Sequence, residues 1–215
     1  MSPGPGAATI QGMTTITRPR WRVPTALLVL TAVPVIAGAF RVTELASGAE
    51  VTSGNARFFA DPVPVLLHIV GASLFCVLGA FQFLRGPRHR VMGRLIVPCG
   101  VVAALSGVWM ALVYPLPDHD GELILVFRLV FGTGMAVALV LGYLAARQRR
   151  FGAHGAWMMR GYAIGQGAGS QAVVFGVWTG IEGVPAENTR ALLLAAGWVI
   201  NLVVAEWIIR RKGYR

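Results

Sequence analysis

The chain carries four histidines, and their placement is the first hint of chemistry. His68 lies inside a long apolar run. His89 and His154 each stand at the start of an apolar run, beside arginines. His119 is flanked by Asp118 and Asp120. A neutral imidazole can ligate a metal, relay a proton or hydrogen-bond a small redox molecule. Within an apolar segment it needs a reason to be there. Arg128 also sits inside an apolar run, five residues from its start, at a depth similar to that of His68. Its guanidinium either snorkels to Asp118, Asp120 or Glu122 or binds an anion beside His68.

The surroundings of His89 and His154 are alike. One segment reads Arg88-His89-Arg90-Val-Met-Gly93-Arg94; the other reads His154-Gly-Ala-Trp157-Met158-Met-Arg160-Gly-Tyr162. Each histidine is followed five or six residues later by an arginine. Each segment opens a helix, and helix N-termini with arginine favour anions. Two readings follow. Arginine, tryptophan and tyrosine anchor helices at lipid headgroups; or His89, Arg90, His154, Trp157, Arg160 and Tyr162 form a site for haem propionates, a quinone or a phospholipid. In the second reading His89 and His154 converge on one ligand. If that ligand is haem, His68, His89 and His154 are the candidate metal ligands.

The elements that must hold these residues follow from composition. Of 215 residues 55% are hydrophobic and only 13% charged, about half the charge of a soluble domain. Mean hydropathy is +0.64. This excludes a disordered chain and a water-soluble globule. Six runs approach the roughly 20 apolar residues a spanning helix needs: Val23–Phe40, Pro62–Phe83, Leu95–Tyr114, Leu123–Ala146, Gly161–Ile181 and Ala191–Ile209. The expected fold is an all-α, polytopic bundle of six transmembrane helices. Residues 1–22 read as a disordered N-terminal segment, 23–209 as the membrane domain and 210–215 as a basic tail. Ala37-Gly38-Ala39 at the end of the first run also resembles a signal-peptide cleavage site. Segment 41–61 is the one long loop, with room for a short surface helix.

Charge orients the bundle. Net charge is +10. Fifteen of the 19 basic residues fall in alternating connections: Arg18, Arg20 and Arg22; Arg85, Arg88, Arg90 and Arg94; Arg147, Arg149, Arg150 and Arg160; and the tail with Arg210, Arg211, Lys212 and Arg215. The other connections hold Arg41, Arg57 and Arg190 with eight of the nine acids. Basic connections stay in the cytoplasm, so both termini are expected there and the cell membrane is the expected location. The basic excess is thus a membrane signal, and no nucleic-acid partner is expected.

Spacing within the runs predicts packing faces. His68, Gly71, Ala72, Phe75, Gly79 and Gln82 fall on one stripe of the second run. Gly161, Gly165 and Gly169 repeat every four residues in the fifth, where local unwinding would resemble transporters. Gln166, Ser170, Gln171 and Asn201 are expected to bond between helices. Glu206 is expected to pair with Arg210 at i+4. Cys76 and Cys99 lie in apolar runs and read as neither disulfide nor metal knuckle.

Gly79-Ala-Phe-Gln82-Phe83, Arg88-His89-Arg90 with Gly93-Arg94, and His154-x-x-Trp157-Met158-x-Arg160-x-Tyr162, with His68 upstream, together resemble a bacterial multi-pass membrane family. It is known as domain of unknown function 2306. The resemblance covers residues 62 to 175, and Leu95-Ile96 departs from it where an aromatic commonly follows Gly-Arg. It implies a helical membrane protein without an assigned activity. A looser similarity is to dihaem transmembrane b-type cytochromes, whose histidines lie toward both faces of a bundle; here only His68 is clearly within a run. The leading expectation is a b-type haem or quinone-binding electron carrier. The alternatives are a small-molecule transporter using Arg128, His68 and the glycine-rich run, or a structural partner of another membrane protein. No hydrolase triad, phosphate loop or zinc motif is present.

Overall fold

The computed structural model describes residues 21–84, 89–117 and 119–214. The N-terminal segment 1–20, Arg85, Arg88, Asp118 and Arg215, on which some of the expectations above fall, lie outside the described residues. All regular structure described is helical: α1 (Arg22–Ser47), α2 (Ala56–Ala60), α3 (Pro62–Phe81, followed by a 3-10 turn, Gln82–Leu84), α4 (His89–Val113), α5 (Glu122–Arg147), α6 (Phe151–Gly165), α7 (Gly167–Glu182) and α8 (Glu187–Arg211). The short surface helix expected in the long loop is α2.

Five of these are long and apolar enough to cross a bilayer: α1, α3 with its 3-10 turn, α4, α5 and α8. The sixth expected span, Gly161–Ile181, is instead shared between α6 and α7, which meet at Gln166. α6 also begins ten residues earlier than the apolar run does. The first span likewise continues past Phe40 to Ser47. There Gly48, at φ 63°, returns its N–H to the Glu44 carbonyl and ends the helix, a left-handed stop that glycine adopts without steric cost.

The bundle is apolar outside and small-residue inside. Val29, Val33, Leu67, Val70, Val130 and Val203 are exposed, as a lipid-facing belt requires. Packed positions are rich in alanine and glycine, which let backbones approach. α3 packs on α4 and α1, α5 on α4 and α6, and α8 on α7, α6 and α5. The core gathers Phe75, Cys76, Ile96, Met135, Leu139, Tyr162 and Ile164. Phe75 fills the gap left by two glycines: a Cβ would lie 2.5 Å from its ring at Gly100 and 2.6 Å at Gly165.

The stripe of Gly161, Gly165 and Gly169 is indeed close-packed, but against three different helices. Gly161 faces Leu139 of α5, Gly165 faces Phe75 of α3, and Gly169 faces the Leu30 carbonyl of α1. The change of partner accompanies the break at Gln166. Buried Gln166 donates from Nε2 to Thr31 Oγ1 at 3.0 Å and to Tyr162 Oη at 2.7 Å. Tyr162 donates onward to the Cys76 carbonyl at 2.8 Å. This chain ties α1, α6 and α3 together where the helix is interrupted. Ser170 donates to Asn201 and Gln171 to the Leu194 carbonyl, so the polar residues of these helices bond between helices as their burial demands.

Candidate functional site

Among the described residues, a cavity opens into the bundle toward each end. The one at the acidic end has a volume of about 480 Å³, and the one at the arginine-rich end about 550 Å³. Both fall in the usual range for small-molecule sites. Phe75 lines both, so its ring is the partition between them.

Each cavity is faced by an imidazole held in the same way. His68 Nδ1 lies 2.8 Å from the Ala103 carbonyl oxygen of α4. His154 Nδ1 lies 2.8 Å from the Gly142 carbonyl oxygen of α5. A carbonyl only accepts, so each Nδ1 carries the proton and donates. Each Nε2 is then an acceptor with its lone pair available, and no described residue bonds it. This tautomer lock is the arrangement that readies a histidine for a metal or a hydroxyl.

At the acidic end, His68 shares its cavity with Arg57, Arg128 and Arg190. Asp120 clasps two of these: it accepts from Arg128 at 2.6 Å and from Arg190 at 2.7 Å, with its own side chain 1% exposed. Arg128 thus snorkels to Asp120, and α8 adds a second arginine to the same carboxylate. Burial raises the Asp120 carboxyl, but the hydrogen bonds and charges of Arg190 and Arg128 outweigh it and hold it below the ordinary aspartate value. Among the described residues, Arg57, on α2, makes a 3.4 Å contact to the Pro115 carbonyl and lies over the face of Phe58. Burial and the neighbouring Arg128 charge lower its affinity for its proton.

At the arginine-rich end, His89 and His154 line one cavity, with Gln82, Phe83, Met158, Tyr162, Lys212 and Tyr214 among its other walls. α4 and α6 do not pack along one another there; the cavity occupies the space between them. Gln82 donates weakly from Nε2 to the His89 carbonyl at 3.3 Å. Its Oε1 is buried and meets no donor among the described residues. A buried acceptor without a donor is costly, so this atom marks a position where a ligand donor fits.

The other sequence candidates lie elsewhere. Arg90 is exposed and does not line the cavity. Arg160 turns toward α8: its Nε and Nη2 bond the two oxygens of Glu206, and its guanidinium lies 4.7 Å from the Trp157 ring centroid. The expected Glu206–Arg210 pair is therefore replaced by a pair between helices, because α6 packs on α8 and presents Arg160 to the carboxylate. His119 is exposed in the turn before α5 and lies on neither cavity. Among the described residues no three His, Cys, Asp or Glu side chains group as a metal site.

Sequence reasoning did not assign roles to Arg57, Arg190, Gln82 or Lys212. Arg57 and Arg190 did carry a signal, being two of the three arginines stranded among the acids. Gln82 carried one too, as the polar end of the α3 stripe.

A family model, domain of unknown function 2306, described as a predicted membrane protein, matches residues 65–209. The chain belongs to this family. The match runs from α3 through α8 and covers most of the lining of both cavities, while Arg57, Phe58, Lys212 and Tyr214 lie outside it. No curated protein and no solved structure matches the chain.

Proposed function

We propose that this family member is a redox protein of the cell membrane that binds a quinol headgroup in the cavity at its arginine-rich end. The observation that carries this reading is a pair of acceptors there with no donor among the described residues: His154 Nε2 and Gln82 Oε1. A hydroquinone presents two hydroxyl donors and an aromatic ring. The hydroxyls complement the two acceptors, and Phe83, Tyr162 and Met158 offer apolar walls for the ring. The His154 imidazole would accept a hydrogen bond from one hydroxyl and so hold its proton at Nε2. The oxidised quinone has only acceptors, so the site favours the reduced form.

A b-type haem is the second reading. His154, with Nδ1 fixed on Gly142, and His89, which lines the same cavity, are the residues that would hold it. Haem would supply one-electron chemistry. It offers Gln82 Oε1 no donor unless a propionic acid is protonated, and Arg160 is committed to Glu206. The donor set therefore suits quinol better.

Anoxic calorimetric titration of the purified protein with a short-chain hydroquinone tests this. Binding is expected, weaker for the quinone form. Gln82→Leu and His154→Ala should each weaken it about tenfold, as loss of one buried hydrogen bond of roughly 1.4 kcal/mol implies. A Soret band in the untreated protein that disappears in His154→Ala would move the site to haem. A colourless protein indifferent to hydroquinone would leave transport or a structural role.

A further inference from the structure

The acidic-end cavity stands apart from the quinol reading, on the other side of Phe75. Its arginines all come from the acidic end. Arg57, Arg128 and Arg190 line it toward the acidic end, and farther along the bundle the walls are apolar, with Phe75, Met135 and Ile164. Asp120 is the carboxylate that engages these arginines, and it is shared between Arg128 and Arg190. Asp61 and Glu187 do not line the cavity. Among the described residues, three guanidiniums line this end of the cavity and one carboxylate bonds them, which leaves positive charge in excess there. Arg57 holds most of it uncompensated, facing the arginine pair with no carboxylate bonded to it among the described residues. An arginine fork not engaged by a carboxylate is a ready receptor for another oxyanion.

We propose that this cavity binds a small anionic amphiphile. Its carboxylate or phosphate head would sit between Arg57 and the Arg128–Asp120–Arg190 clasp. Its apolar body would lie along the wall toward Phe75. His68 Nε2 supplies a polar contact partway down, with its Nδ1 fixed on Ala103. A head without an apolar body would leave the lower cavity unfilled, and a neutral amphiphile would leave the arginine charge unmatched.

Charge and shape make separable demands. The protein in nanodiscs of phosphatidylcholine would be titrated calorimetrically with octanoate, octyl phosphate and octanol. Either anion should bind at least tenfold more tightly than octanol. Arg57→Gln should abolish that preference; Arg57 is chosen because Arg128 and Arg190 hold the loop through Asp120, whereas its one hydrogen bond is long. Ala168→Leu, on an exposed position of the cavity wall, should weaken all three ligands. Mass spectrometry of lipid extracts from the purified protein separates the two sources of the head, a carboxylate or a lysophospholipid. Equal affinity for octanol and octanoate, or an Arg57→Gln variant that keeps the wild-type preference, would overturn the proposal. So would unchanged binding in Ala168→Leu.

Discussion

Asp120 is one carboxylate between two arginines from different helices, and its protonation state decides whether α5 and α8 are clasped at their acidic ends. Its folded pKa is depressed, so its contribution is complete above the unfolded value near 3.8 and is lost as pH falls through the lower folded value. Thermal unfolding in detergent should therefore show a loss of stability below about pH 4 that Asp120→Asn lacks. At neutral pH that substitution should cost about 1–3 kcal/mol, because it weakens two charge-assisted bonds to partly exposed arginines. An equally acid-labile Asn variant would mean that other groups govern the transition. The residue scale was partly legible in the sequence. Snorkelling length put Asp118, Asp120 and Glu122 within reach of Arg128, and the fold selects Asp120. Arg190 joining it does not, since that contact depends on α8 beginning beside the turn that precedes α5. Glu206 shows the same limit: i+4 spacing pointed to Arg210, but tertiary packing offered Arg160.

Among the helices, α7 makes the clearest contrast between glycines that look equivalent. A Cβ at Gly169 would meet the backbone carbonyl of Leu30, which cannot rotate away, whereas at Gly176 and Gly180 nothing lies within 4 Å. Gly169→Ala should destabilise by about 1–3 kcal/mol through overpacking and loosen α1. Gly176→Ala should be neutral or slightly stabilising, since alanine is the better helix former. Chemical unfolding of the two variants in the same detergent checks this; matched losses would mean that α1 does not depend on that contact. Periodicity revealed that the glycine stripe packs closely. It could not reveal that the stripe changes partner at Gln166, because the break satisfies hydrogen bonds to Thr31 and Tyr162 on other helices. An apolar run carries no mark of where a helix pauses when its neighbours bond the gap.

For the molecule as a whole, the charge split across alternating connections was the most informative feature of the sequence, and it predicts orientation. Reporter fusions at Gly121 and Gly183 should read as external and one at Gly152 as internal; an external signal from Gly152 would invert the assignment of the two ends. The helical membrane bundle was legible because apolar length and arginine bias are physical requirements of insertion. The two cavities were not, since they arise from which small residues face one another. One consequence of Phe75 concerns electrical insulation. The ring is 1% exposed and is the side chain of α3 shared by both cavities, so the resistance of the pathway between opposite membrane faces is concentrated in a single aromatic thickness. Cutting it back with Phe75→Ala would join the two cavities into one conduit and let protons run down their gradient. Proteoliposomes loaded with a pH-sensitive dye and given an inside-acid jump should hold their gradient with the wild-type protein and discharge it with this variant, while equal retention by both would locate the barrier in other residues.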